Sequence, residues 1–440
     1  MKRPRLPRWM YPGMHLKRWL VLLFAGIAIL GLGAAIFIRD LYRTSAADEI
    51  AVVYWLTGAW MEPQIRAAVV AALGIGLTVI GMWGLMRSVI SPFVARGDSV
   101  MEVLYTKRYL ARGPRIVAIG GGTGLSTLLR GLKGYSANIT AVVAVADDGG
   151  SSGQLRKQLG IVPPGDIRNC IAALADAEPL MTQLMQYRFP AGSGLDNHAF
   201  GNLFIAAMTA ITGDFEEAVR ESNRVLAVRG QVVPATSVPL NLSAQLVSGR
   251  HLYGQVGIAA AEERIERVFI EPADVRATGE ALERILEADM IVIGPGSLFS
   301  SILPNLLISD VRDALAAASG LKVYVCNVAT QPGETENLTA SEHLHALFDH
   351  IGDDLIDYVV INRNTDARHP EGWRAEPVKV DFRRLEELPV VIVEEDVIDP
   401  NNAHRHDPAK LATALMRLQQ EDRVDRPRQR RVRRPAAHAS

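Results

Sequence analysis

Two long stretches of the chain, Trp19 to Ile38 and Ala67 to Met86, contain no charged residue. Each has about the length at which a helix crosses the hydrocarbon core of a bilayer, and both are rich in Gly, as membrane helices often are. They predict two transmembrane helices, 19–38 and 67–86, joined by an external loop over 39–66. A cleaved signal peptide would explain the first stretch and a buried core helix the second. The long basic segment ahead of Trp19, followed by a second span, favours a membrane hairpin.

Beyond Gly113 the pattern changes. Short β-branched runs at Ile116–Ile119, Thr140–Ala146, Met290–Ile293, Lys322–Cys326, Tyr358–Ile361 and Val390–Val393 alternate with helical segments. The helical segments include Pro179–Tyr187, Asp214–Val228, Gly279–Ala288 and Asp310–Ser319. Uniformly apolar strands alternating with helices predict an α/β fold, a Rossmann-like three-layer domain whose mainly parallel sheet is covered on both faces. The expected organisation is a basic N-terminus (1–18), the two spans with their loop, a linker (87–112), one domain over 113–419, and an Arg-rich tail (420–440).

Charge sets the orientation. Lys2, Arg3, Arg5, Arg8, Lys17 and Arg18 precede the first span, and Arg87, Arg96, Lys107, Arg108, Arg112 and Arg115 follow the second. The loop holds only Arg39, Arg43 and Arg66, with Tyr54, Trp55 and Trp60 suited to a membrane interface. Excess Lys and Arg mark cytoplasmic flanks. The expectation is a two-pass plasma-membrane protein with both termini and the large domain in the cytoplasm. The tail from Arg423, with Pro427 and Pro435, reads as disordered, either solvated or bound to anionic lipid head groups. A net charge of −1 argues against a globally basic nucleic-acid binder. Cys170 and Cys326 stand among apolar residues without metal-ligand spacing, and read as core thiols in a reducing compartment.

The chemistry lies just after the strands. In an open parallel sheet those carboxyl ends share one edge, where ligands bind. The first run ends in Gly120-Gly121-Gly122-Thr123-Gly124, a loop that leads into a helix and offers backbone N–H donors to a phosphate or carboxylate. Leu125 stands where a dinucleotide fingerprint needs Gly, and the Gly-Lys-Ser/Thr of a Walker loop is missing. The loop therefore brings no cation of its own. The second run ends in Asp147-Asp148-Gly149-Gly150-Ser151-Ser152. Its carboxylates could grip ribose hydroxyls, share Mg²⁺ at a diphosphate, or merely cap a helix.

Further candidates line up along the same edge. Pro163 to Asn169 reads as a rigid turn into a helix capped by Asp166, with Arg168 placed for a phosphate and Asn169 beside it. Asn202, next to Gly201, is expected to hydrogen-bond a ligand directly, and His198 reads as structural. Gly294-Pro295-Gly296-Ser297, leading to Phe299, makes a second cradle for an anion, and Asn327 ends the Lys322 run. These loops predict one extended site suited to the diphosphate of a nucleotide sugar.

The motifs GGGTGLSTLLRGLK, ADDGGSSGQLR, PPGDIRNCI, HAFGNLFIAA, GPGSLFSSILPNLL and TQPGETE occur in that order. Over about Arg115 to Leu415 the chain resembles the bacterial gluconeogenesis factors, the YvcK-like family, which are related to the CofD-like 2-phospho-L-lactate transferases. The resemblance implies a Rossmann-like domain that binds UDP-N-acetylglucosamine. It also implies a regulatory role, with a protein partner, linking carbon supply to cell-wall precursor synthesis and cell shape. In the transferase relatives an acidic pair at the position of Asp147 and Asp148 serves a metal-assisted reaction, and Asn202 lies in a matching motif. Phe299 stands where the family pattern has Tyr, which would keep ring stacking and lose a hydroxyl. Two classes of function follow: a regulator needing no cofactor, or a Mg²⁺-dependent phosphoryl or nucleotidyl transferase. The chain shows no activated nucleophile and no Lys–phosphate clamp, which favours binding. Catalytic residues and any homo-oligomer remain unassigned.

Overall fold

The computed structural model describes residues 16–42, 61–90, 110–175, 179–364 and 374–432. The expected basic terminus, the aromatic part of the external loop, most of the linker and residues 433–440 lie outside the described residues. The chain divides into two compact units, Met1–Tyr105 and Thr106–Ser440.

In the first unit, helices Leu16–Tyr42 and Pro63–Ile90 pack along each other. Small residues set how close they come. A Cβ on Gly81 would lie 2.8 Å from the Leu23 backbone nitrogen, and one on Gly74 would lie 2.6 Å from Leu30 Cγ. Such close approach is the usual way for helices to associate where apolar burial supplies little drive. Val21, Phe24, Ile27, Val69, Leu73 and Trp83 point outward and are exposed. Among the described residues one segment, Ala68–Arg87, is long and apolar enough to cross a membrane, with mean hydropathy 2.1. The corresponding stretch of the first helix, Trp19–Ala35, is shorter.

The second unit is built on seven strands: β1 (Ile116–Gly120), β2 (Ile139–Val143), β3 (Gln231–Pro234), β7 (Met290–Ile293), β8 (Leu321–Val325), β9 (Tyr358–Asn362) and β10 (Val391–Glu395). They pair in parallel throughout, in the order β10-β9-β8-β7-β1-β2-β3. β1, β2 and β7 are buried at every position, as strands covered on both faces must be. The Gly122–Leu132 helix shows why the layers hold: Leu125, Leu128, Leu129 and Leu132 are fully buried, each contributing roughly 1.5–3 kcal/mol. This is the expected α/β, Rossmann-like architecture. Both cysteines are buried free thiols, and burial pushes both pKa values up.

Several features depart from the sequence expectation. β3 escaped notice because it is only four residues long and ends in proline. A separate antiparallel sheet, in the order β5-β4-β6, comprises β4 (Asn241–Leu246), β5 (His251–Tyr253) and β6 (Ile265–Glu271). Its strands mix polar and apolar residues because one face meets solvent. A short hairpin, β11 (Ile398–Asp399) with β12 (Asn402–His406), precedes the last helix. That helix runs from Pro408 to Val432, across the start of the expected disordered tail. Its packed first half, with Leu411, Ala412, Leu415 and Leu418 buried, supplies the nucleus.

Candidate functional site

β1 lies beside the central strand, β7, and the chain builds outward from this pair in both directions. The gap between the β1 and β7 ends is therefore the topological switch point, where two loops diverge and leave a crevice. After β1 the backbone passes through Gly121 and turns at Gly122, whose φ of 64° lies in the left-handed region that favours glycine. Its capping residue Gly121 has no side chain to offer the helix, which leaves the N–H groups after that of Gly122 at the crevice. Ser126 and Thr127 turn their hydroxyls back to the Gly122 and Thr123 carbonyls, at 2.9 and 3.0 Å.

The second loop, after β7, presses against the first. A Cβ on Gly124 would lie 2.5 Å from the Pro295 carbonyl oxygen, so only glycine fits there. Asn327, at the end of β8, clamps Gly296 from both sides: it accepts from the Gly296 N–H at 3.3 Å and donates to its carbonyl at 2.8 Å. The fully buried Asn305 donates to the Gly120 and Ser301 carbonyls, stitching the two loops together.

Between them opens a cleft of about 770 Å³. Of the residues expected at the site, Gly121, Gly122, Thr123, Gly124, Asp166, Gly296, Ser297 and Asn327 line it. Sequence reasoning missed the opposite wall: Gln331 in the TQPGETE stretch, Arg374, and His404, Arg405 and His406 from the hairpin. Arg374 and Arg405 are the exposed cations that the glycine loop lacks. Ser297 donates to Gln331 at 2.7 Å, joining the walls. His406 is buried and donates from Nε2 to the Cys326 carbonyl, 3.1 Å away, which holds β12 against the end of β8. Burial pushes its pKa down to about 4, so it stays neutral.

Asp166 does not cap its helix. The helix starts at Gly165 with Pro164 as the capping residue, and the Asp166 carboxylate instead accepts the Gly122 N–H. Burial, with help from the neighbouring Asp147 carboxylate, raises its pKa to about 7; the Gly122 N–H and Arg168 act the other way. Near neutral pH this group is half protonated, at the point where a phosphate would approach.

Asp147 and Asp148 turn apart. Asp147 accepts from the Gly149 N–H at 3.0 Å and lies beside Asp166, whereas Asp148 accepts from the Val256 N–H at 3.1 Å. The two carboxylates thus hold different backbone N–H groups and do not act as the single pair that the sequence suggested. Among the described residues no group of three or more His, Cys, Asp or Glu is placed to hold a metal.

Ser151, Ser152, Arg168 and Asn202 are buried together beside the cleft, not on its wall. Ser151 accepts from Asn202 Nδ2 at 3.0 Å and lies 3.2 Å from His198 Nδ1. Arg168 is 7% exposed and donates to Asn169 at 2.8 Å; Arg168 Nε and Asn202 Oδ1 are buried without a hydrogen-bond partner. Gly149 and Gly294 shape their turns without lining the cleft. Phe299 departs furthest from expectation. It is buried in the core, edge-on to His350 at 6.3 Å, because the π-helical turn Leu298–Ile302 rotates it inward.

The family described as 2-phospho-L-lactate transferase CofD matches residues 116–398. A gluconeogenesis factor of Bacillus subtilis is 46% identical over 317 residues, which is 71% of this chain and 100% of that relative. A relative of the same designation from Nostoc sp. is 45% identical over 423 residues, 93% of this chain and 92% of its own, a span that must reach into the N-terminal unit. The crystal structure of a Bacillus halodurans protein, 44% identical, superposes with a TM-score of 0.66 and covers 69% of this chain and 99% of that one.

Proposed function

This chain belongs to the gluconeogenesis-factor group of the CofD family, and we propose that it binds UDP-N-acetylglucosamine in the β1–β7 cleft as a membrane-anchored regulator. The observation that carries this reading is the meeting of two glycine loops with Arg374 and Arg405 in one cleft. Backbone donors on one wall and guanidinium groups on the other suit a diphosphate. The volume falls within the range of small-ligand sites. Occupancy would be read by a partner enzyme of amino-sugar or cell-wall precursor synthesis.

A transferase of the deazaflavin type would need a flat apolar platform, and among the described residues no Phe, Tyr or Trp lines the cleft. The Mg²⁺-dependent reading keeps one observation in its favour, the neighbouring Asp147 and Asp166 carboxylates. Calorimetric titration of the purified protein with UDP-N-acetylglucosamine separates the two. Binding without Mg²⁺, weakened tenfold or more by Arg405→Ala and accompanied by no product, is the expected result. Turnover that appears with Mg²⁺ would make the protein an enzyme.

The anchor is read as a hairpin with the large unit in the cytoplasm, from the Lys/Arg excess outside both apolar stretches. Reporters fused at Asp48 and at Ser440 should lie on opposite sides of the membrane. Both on one side would exclude two spans.

A further inference from the structure

The β5-β4-β6 sheet buries Leu242, Ala244, Val268 and Ile270 on one face and turns the other outward. On the outer face Ser243 pairs with Tyr253 of β5 and with Phe269 of β6. Directly paired residues project to the same side, so two rings flank one small residue in a single row. Tyr253 is 73% exposed and Phe269 39%, while Ser243 between them is 8% exposed. The Cα atoms of the outer pair are about 10 Å apart across two strand spacings. A planar ring stacked on both sides at contact distance takes up roughly 7–8 Å. The slot fits one ring.

The rows on either side differ in character. Roughly 7 Å along the strands in one direction, Asn241 pairs with Glu271; the same distance in the other direction, Gln245 pairs with His251 and Arg267. A cleft of about 650 Å³ takes in Tyr253, Ser243, Phe269, Glu271, Arg267 and Arg312. Glu266, next to Arg267 in the strand, accepts from Gln245 at 3.0 Å. Arg267 donates from Nη2 to the Asp349 carbonyl at 3.1 Å, which orients the guanidinium and leaves its other donors available.

We propose that this outer sheet face is a second ligand site, for a mononucleotide. Its base stacks between Tyr253 and Phe269 over Ser243, its exocyclic amino group meets Glu271, and its phosphate meets Arg267 and Arg312; Asn241 at that end already accepts from Arg156 at 2.6 Å. Stacking on aromatic rings and a charge-assisted phosphate contact are the two standard terms of nucleotide recognition. The site is separate from the glycine-loop cleft and does not depend on what that cleft binds. The two are nevertheless neighbours in the chain. Tyr253 leads directly into the Gly254–Ala259 helix, where Gln255 lines the other cleft and the Val256 N–H is held by Asp148.

The test uses the full-length protein in detergent and AMP as the probe, by calorimetry. AMP should bind with one site per chain. Tyr253→Ala and Phe269→Ala should each weaken it at least fivefold, while Tyr253→Phe keeps the wild-type affinity. Adenosine, which lacks the phosphate, should bind more weakly than AMP. Gly122→Val, which disables the other cleft whatever it holds, should leave AMP binding unchanged. Three results would overturn the proposal. One is no AMP binding at millimolar concentration; another is AMP binding lost in Gly122→Val and retained in Tyr253→Ala. The third is an oligomer that Tyr253→Ala dissociates, which would make this face an interface between copies.

Discussion

Gly122→Val should weaken UDP-N-acetylglucosamine binding tenfold or more, about 1.4 kcal/mol, in a protein that still folds. Gly122 has φ of 64°, which a β-branched residue adopts only with strain of about 1–3 kcal/mol. The nearest atoms to an added Cβ are Asp166 Oδ1 and Ser301 Oγ, each 3.9 Å away. The new side chain thus enters the cleft and leaves the core packing intact. It blocks the approach of a diphosphate to the loop N–H groups. Gly124 behaves differently, because its Cβ would strike the Pro295 carbonyl and force the two loops apart. Calorimetry for affinity and a thermal melt for folding make the check. A normally folded variant with unchanged affinity would reduce the loop to a turn.

Binding should also tighten about tenfold as pH falls from 8 to 6, and Asp166→Asn should remove that dependence. Asp166 is pushed up to about 7 by burial and by Asp147, so it is largely neutral at pH 6 and anionic at pH 8. In its ionised form it repels a diphosphate and competes for the Gly122 N–H. The ligand's diphosphate keeps its charge over this range, so the slope belongs to the protein.

Stability follows the same group with a definite sign. The folded-state pKa is raised, so the native state holds a proton that the unfolded chain has released. The favourable contribution is complete below the ordinary carboxylate range and is lost as pH rises towards 7. Asp166→Asn should therefore raise the melting temperature at pH 8 more than at pH 5. His406 works in the opposite direction: its folded-state pKa is lowered to about 4, so its contribution is lost as pH falls from the ordinary histidine value towards 4. Equal pH dependence of affinity in wild type and Asp166→Asn would place the titrating group elsewhere.

Much of this molecule was legible in one dimension. Six of the seven parallel strands announce themselves as short apolar runs, the inner ones unbroken because a strand covered on both faces has no polar side to show; the edge strand β10 is only partly covered and ends in two Glu. The glycine loops were legible for a similarly local reason: a chain reversing at a strand end with φ near 64° needs Gly122 whatever surrounds it. β4, β5 and β6 were not legible, since a sheet with one wet face and strands as short as His251–Tyr253 leaves no period longer than noise.

What the sequence by itself determined, then, is the local physics: two charge-free stretches, the α/β rhythm, the loops that end β1 and β7, and the charge imbalance around the apolar stretches. Only the tertiary structure decided which of those groups meet. Arg405 reaches the glycine loop because His406 ties β12 to the end of β8, from nearly 300 residues further along the chain. Asp147 and Asp148, adjacent in sequence, hold different backbone N–H groups, while Asp147 and Asp166, separated by a whole helix, were brought together. Phe299, on the π-helical turn Leu298–Ile302, is packed into the core and away from the cleft. Periodicity and turn chemistry act over a few residues and can be read from them. The direction of a side chain, and the partner it meets, depend on packing between segments that the sequence holds far apart.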